Sequence, residues 1–365
     1  MANIFFGRGK KKTLVVESSN IGLRAIGLDV TENSITIDKA YYSPWSLFLS
    51  QTPDDFSSQL STVMKSLASY CSPKEYSVVY CCSDSNNWSH WVQTAFIEDE
   101  EELEEYLVSK KIIRDPEVWI SDSVILANSI SDEKESLDVL VQMVKSENAQ
   151  LVMDILEETG YELEAIEFLP NALVSFYEYY CDENRTNHDA LISIGWENSM
   201  VSIFHNDQLR FSYFLNFRLS DFTVLLMQKM QIDEATAMNI VKSELFDVVL
   251  GVAANDRNLM PQILDEVKLE LEFLQDEIKR VFAFYVTKVM EWKIEGIERI
   301  VYTGHEARMS SLNNFISEQA SVPTATILPI DSVEYSTEVS SKFQKNGFSQ
   351  FLTNTFGLSL RHIGS

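Results

Sequence analysis

Gly7-Arg8-Gly9-Lys10-Lys11-Lys12-Thr13-Leu14-Val15-Val16-Glu17-Ser18-Ser19-Asn20-Ile21-Gly22-Leu23-Arg24-Ala25 is the stretch from which the rest of the chain is read. A basic leader runs into an apolar strand, Thr13–Val16, which ends at a carboxylate, Glu17. Ser18-Ser19-Asn20 supplies a turn, and a second apolar run returns from Leu23. The pattern predicts a strand–turn–strand hairpin with an acid at its rim. A third strand is expected at Ser34–Ala40 and a buried one at Tyr76–Cys82. Between them, apolar residues at Phe56, Leu60, Val63, Met64 and Leu67 have helical spacing. The β-β-β-α-β order is an α/β unit with a mixed sheet.

The chain has 365 residues, 45% of them hydrophobic and 11% aromatic, enough to bury a sizeable core. Its net charge is -26, from 55 acids against 29 bases. That charge opposes whole-chain binding to nucleic acid or to anionic lipid and suits a basic partner. Cys71, Cys81, Cys82 and Cys181 form no metal-binding spacing and read as small buried hydrophobes. No signal peptide is expected, and no apolar run reaches the roughly 20 residues of a spanning helix. The leader at 1–12, with Ile4-Phe5-Phe6 and Arg8, Lys10, Lys11 and Lys12, is read as a solvated end or a marginal membrane contact.

Further along, a strand at Trp91–Phe96 and a helix at Glu98–Lys111 are expected, the helix with acids at its start and bases at its end. Strands at Val118–Ile120 and Leu137–Val144 flank a polar loop, Ser129–Ser136. Residues 83–145 thus read as an inserted lobe. Ala149–Thr159 is a helix stopped by Gly160, Leu163–Phe168 a strand, and Pro170 opens a helix to Tyr180. A polar linker, Cys181–His188, leads into a second three-strand meander at Ala190–Ile194, Met200–His205 and Gln208–Phe214, a repeat of fold and not of letters. Helices are expected at Leu219–Met230 and Ile232–Glu244, and a long amphipathic one at Gln262–Trp292. Strand Ile297–Tyr302, a turn at Gly304, helix Met309–Ala320, strand Thr324–Leu328 and helix Gly347–Arg361 end the chain.

Four segments in this order resemble the PilM family of actin-like proteins in type IV pilus assembly. The family's opening Asp-Ile-Gly-Ser-Ser-Ser-Val-Lys is matched by Glu17-Ser18-Ser19-Asn20-Ile21-Gly22-Leu23-Arg24. Its second Asp-Ile-Gly-Ala is matched by Ser193-Ile194-Gly195-Trp196, and its Ser-Gly-Gly-Gly by Thr303-Gly304-His305-Glu306. Its closing helix is similar to Phe356-Gly357-Leu358-Ser359-Leu360-Arg361, and Glu101-Glu102-Leu103 matches its inserted lobe. The secretion protein GspL and the division protein FtsA share the superfamily.

The resemblance implies an actin-like (ribonuclease H-like) α/β fold of two halves, with four subdomains around an interlobe cleft. The first subdomain would comprise 13–82 and 146–185, with a C-terminal helix at 347–363. The second would comprise 186–218 and 293–346, and a helical one 219–292. It implies a cytoplasmic scaffold at the inner face of the inner membrane. Its partner would be a PilN-like bitopic membrane protein, held through that protein's cytoplasmic N-terminal peptide in a groove on the first half, with pilus motor components beyond. A homo-oligomer or ring is compatible with it. The alternative is a working ATPase that uses ATP with magnesium to drive lobe closure or polymerisation.

The nucleotide-loop equivalents implied are Glu17, Ser19, Asn20, Ser193, Gly195, Trp196, Gly304, His305 and Glu306. Phosphate loops need small residues so that backbone N–H groups can approach the anion. Here Glu17 is one methylene longer than the family's acid, and Ser19 stiffens the turn. Ser193 has no charge, Trp196 is bulky, Glu197 repels phosphate, and His305 and Glu306 replace glycines. The expectation is no cofactor, no catalysis, and nucleotide binding that is weak or lost.

Overall fold

The opening hairpin forms because its apolar residues suit a strand buried on both faces. In the computed structural model, the residues described are 12–19, 22–30, 35–45, 53–82, 88–131, 134–180, 185–256, 258–291, 293–304, 309–318, 322–327, 334–336, 339 and 353–362. In chain order they form β1 (Lys12–Ser19), β2 (Gly22–Val30), β3 (Ile35–Pro44), α1 (Pro53–Tyr70), β4 (Tyr76–Cys82), β5 (Trp88–Ala95), α2 (Glu100–Ser109), β6 (Trp119–Ser131), β7 (Lys134–Lys145), α3 (Ser146–Thr159), β8 (Leu163–Phe168) and α4 (Leu169–Tyr180). Then come β9 (His188–Ile194), β10 (Ser199–His205), β11 (Gln208–Leu215), α5 (Leu219–Met230), α6 (Glu234–Ser243), α7 (Leu245–Val249), α8 (Pro261–Phe284), β12 (Arg299–Gly304), α9 (Ser310–Ser317), β13 (Thr324–Thr326), β14 (Glu334–Tyr335) and α10 (Thr353–Arg361). They fall into two compact units, Met1–Asp182 with Leu328–Ser365, and Glu183–Ile327.

The first unit is built on a six-stranded sheet in the order β14-β3-β2-β1-β4-β8. β1, β2 and β3 are an antiparallel meander, while β4 runs parallel to β1 and β8 parallel to β4. One face carries α1 and α3, where Leu60, Met64, Leu67, Val152, Ile155 and Leu156 pack on Leu14, Val16, Val78 and Tyr80. Each such buried Leu, Ile or Val contributes roughly 1.5–3 kcal/mol before entropy is subtracted. The other face holds Val15, Val79, Cys81, Ala172 of α4 and Leu358 of α10 in one cluster. A separate sheet, β5-β7-β6, packs through Leu137, Val139, Val141 and Met143 on Leu103 and Leu107 of α2.

The second unit repeats the arrangement. Its sheet runs β11-β10-β9-β12-β13, a meander followed by two parallel strands. The helix α8 buries Ile263, Val267, Leu271, Leu274, Ile278 and Val281.

Several boundaries differ from the sequence reading. β1 runs on through Ser18 and Ser19, and Ser19 pairs with Gly22, so Glu17 lies inside a strand. The polar segment Ser129–Ser136 is not a loop, because Ser129 pairs with Ser136 and Ser131 with Lys134 in the β6–β7 hairpin. Serines and asparagines are acceptable on a strand whose backbone bonds are met across the ladder. α2 stops at Ser109, leaving Lys110 and Lys111 beyond its last turn. The long helix stops at Phe284, and Tyr285–Val289 continue as one wider π turn that keeps Tyr285 and Val289 buried. Lys12, counted in the leader, belongs to β1. Glu334–Tyr335, counted in the second half, pair parallel to β3 in the first unit; two residues carry no periodic signal. Of the segment expected as the last helix, 347–352 lie outside the described residues, as does 1–11 of the leader.

Candidate functional site

Glu17 stands opposite Arg24 in the β1–β2 register. Its Oε2 receives the Arg24 Nη1 at 3.3 Å, and its Oε1 accepts a hydrogen bond from Asn354 Nδ2 of α10 at 2.9 Å. Glu17 is 2% exposed and Arg24 4%. A carboxylate is tolerated there because it is both paired and hydrogen-bonded. It is not at a rim, where the sequence reading puts it.

The remaining polar groups of the hairpin also turn inward. The Ser18 hydroxyl meets the Tyr80 hydroxyl, and Ser19 Oγ donates to the Gly22 carbonyl at 3.1 Å. Trp45 Nε1 donates to the Ser19 carbonyl at 2.7 Å. At Gly22, with φ at +152°, a Cβ would lie 2.6 Å from the Ser43 carbonyl oxygen, so the hairpin admits no side chain there. Asn20 lies outside the described residues.

In the second unit, Ser193 of β9 is buried beside Thr303 of β12, and Ile194 pairs with Gly304. Gly304 closes β12 in the left-handed region, φ +91°, which favours glycine. Gly195 is closely packed too, since a Cβ would come 2.6 Å from the Asn198 carbonyl oxygen. The Gly195 carbonyl accepts from Leu219 N at 3.1 Å and the Trp196 carbonyl from Ser220 N at 3.0 Å. Trp196 is 2% exposed, with Lys242 Nζ 5.2 Å from its ring centroid. His305 and Glu306 lie outside the described residues.

Ser193, Gly195, Trp196 and Gly304 are therefore gathered at one end of the β9–β12 pair, while Glu17 and Ser19 belong to the other unit. Two features of the described residues bear on a nucleotide phosphate and its magnesium. A helix N-terminus holds an anion through free N–H groups, and here two amides at the start of α5 are bonded to loop carbonyls. Glu17 is engaged by Arg24 and Asn354. Among the described residues, no group of three or more His, Cys, Asp or Glu is placed to hold a metal ion.

Sequence reasoning missed the partners of Glu17. Arg24 was visible through hairpin register, which sets residues equidistant from the turn face to face. Asn354 was not, being 337 positions away. It also missed the attachment of α10. At Gly357 a Cβ would lie 2.0 Å from the Ala172 carbonyl oxygen of α4, so the two backbones touch. Beyond it, Arg361 Nε and His362 Nε2 reach Glu167 Oε1 at 3.1 and 2.9 Å, and Asn171 Nδ2 donates to Glu167 Oε2 at 2.6 Å. Burial pushes the Glu167 carboxyl up, but the bonds from His362 and Asn171 and the Arg361 charge outweigh it and hold it below its ordinary value.

No helix among the described residues is long and apolar enough to cross a membrane. Neither a protein-family model nor a curated protein matches the sequence. Solved structures do. A chain of the PilM-PilN type IV pilus biogenesis complex superposes with a TM-score of 0.76 at 17% identity, covering 97% of this chain and 99% of its own. The ethanolamine utilization protein EutJ from Carboxydothermus hydrogenoformans superposes at 0.50 with 9% identity, over 96% and 90%. A Bacteroides thetaiotaomicron protein of unknown function, described as having an actin-like ATPase fold, matches at 0.42 with 13% identity, over 90% and 94%. The chain has a mixed α/β, actin-like fold.

Proposed function

We propose that this chain is a PilM-like scaffold of a type IV pilus or related secretion machine, and that its actin-like fold has been turned from nucleotide chemistry to partner capture. The observation that supports the first half is the near end-to-end likeness to a chain from a PilM-PilN complex. The partner would be a bitopic inner-membrane protein whose short cytoplasmic peptide lodges on the first unit. An apolar peptide with basic residues suits a chain of net charge -26. Motor components would then be reached through the scaffold, and its place at the inner membrane would come from the partner alone.

The loss of nucleotide chemistry rests on Glu17. A carboxylate that must organise hydrated magnesium has to face water or ligand, and this one is held by Arg24 and Asn354. Pseudo-ATPase behaviour follows. The test is a thermal-shift scan with Mg-ATP beside a pull-down with the cytoplasmic tail of a PilN-like bitopic membrane protein from the same source. A ligand that binds only the native state must raise the midpoint. Tail capture with no Mg-ATP shift is the expected result. A saturable Mg-ATP shift would restore the ATPase reading, and failure to capture the tail would remove the pilus assignment.

A further inference from the structure

β6 is an edge strand that the sheet leaves open. In the order β5-β7-β6 it pairs only with β7, and no strand covers its outer side among the described residues. It is 13 residues long, about twice the usual strand. Long edges invite pairing with another chain, and soluble proteins protect them with Lys, Pro, short length or bulges. The sequence Trp119–Ser131 has no Lys, Arg or Pro and one charge, Asp122. Its single bulge lies between Ile125 and Ala127.

The edge is also apolar on both faces. Ile120 and Val124 stand opposite Val144 and Leu140 on one side of the sheet, and Ile125 opposite Val139 on the other. All three are well exposed, at 48%, 37% and 46%. A strand laid alongside would find apolar side chains on each face and backbone partners along its length. The charge around the edge selects the occupant. Residues 83–145 hold 15 acids and five bases; Asp122 lies on the edge strand itself, with Arg114 and Lys145 beside its first residue and Lys134 paired with its last. A second copy of this chain would bring like charge to the same place.

We propose that β6 accepts an extended segment of another protein as a fourth strand, with apolar residues alternating with Lys or Arg. The proposal rests on the open edge of β6, its exposed apolar residues and the charge of its lobe, so it stands independently of the pilus reading.

The test uses the full chain and short fluorescein-labelled peptides in which Val alternates with Lys, with Thr or with Glu. Fluorescence anisotropy should show binding in the order Lys, Thr, Glu. Hydrogen exchange should show added protection confined to β6. The Ile120→Lys/Val124→Lys variant, checked for an unchanged circular dichroism spectrum, should bind the Lys series about tenfold more weakly or worse. An Asp122→Asn variant, if the double variant fails to fold, should weaken the Lys series and spare the Thr series. No binding by any series, equal binding of the Glu series, or protection elsewhere would overturn the proposal. So would concentration-dependent self-association that Ile120→Lys abolishes, which would assign the edge to a second copy.

Discussion

Glu17 and Arg24 face each other across the β1–β2 hairpin, both buried, with 3.3 Å between Oε2 and Nη1. The hairpin that opens the fold is thus closed by its own ion pair, with Asn354 of α10 as the third member. Removing one partner of a buried pair strands the other. Arg24→Met should destabilise the protein by about 3–5 kcal/mol. A Glu17→Leu/Arg24→Met double variant should lose less than the sum of the two single changes, because they share one interaction. Urea unfolding of the four proteins measures this; additive losses would show that the pair is not coupled.

The tie between α10 and Glu167 should be sensitive to acid. The Glu167 carboxyl is held below its ordinary value in the fold. A lowered carboxyl contributes stability that is complete above the unfolded value near 4.5 and is lost as pH falls through the folded value. Limited proteolysis at the C-terminal end should therefore accelerate below about pH 4.5. Glu167→Gln should flatten that dependence.

The backbone contact at Gly357 predicts a steric result. A methyl group cannot be placed 2.0 Å from the Ala172 carbonyl oxygen. Gly357→Ala should displace α10 and cost about 1–3 kcal/mol or more. Faster hydrogen exchange in α10 and in its neighbour α4 is the expected readout, and unchanged exchange would refute the contact.

A second pH sensitivity lies in the second unit. His188 and His205 lie against each other with their rings tilted by 34°, 4.4 Å between centroids, and both are held below the ordinary histidine value. Burial is the main cause for each, with the charge of His205 next for His188 and that of Arg210 next for His205. Glu298 opposes both shifts, and Asp189 opposes that of His188. The unfolded chain takes up protons first, so stability is complete above about pH 6.5 and declines below it. A melt of the isolated His205→Gln protein should show a weaker dependence between about pH 7 and 5.

What the sequence disclosed follows from the range of each signal. Elements with a local period were legible: α5 at Leu219–Met230, β4 at Tyr76–Cys82 and β8 at Leu163–Phe168 have the ends read from the letters. One cap was legible too, since Gly160 ends α3 in the left-handed region, whereas Asp233, read as part of its helix, is the N-cap of α6. The β6–β7 hairpin was foreshortened because its serines and asparagines imitate a loop, and only the β7 ladder makes them strand. At the first loop the letters gave the acid and its place in the order of elements. They did not give its burial or its bond from Asn354, far along the chain. The bulk of Trp196 was legible, whereas its seat beneath Lys242 and its carbonyl's bond to α5 required three dimensions.

Isothermal titration of the intact chain tests the central claim, that an actin-like fold serves here as a scaffold with its nucleotide chemistry lost. The titrant is the cytoplasmic tail of the proposed PilN-like bitopic partner, with and without Mg-ATP in the cell, and then Mg-ATP alone. The predicted result is a saturable tail isotherm in the micromolar range, roughly -8 kcal/mol, that Mg-ATP leaves unchanged, and no isotherm for Mg-ATP itself. A micromolar Mg-ATP isotherm, or no tail isotherm under either condition, would contradict it.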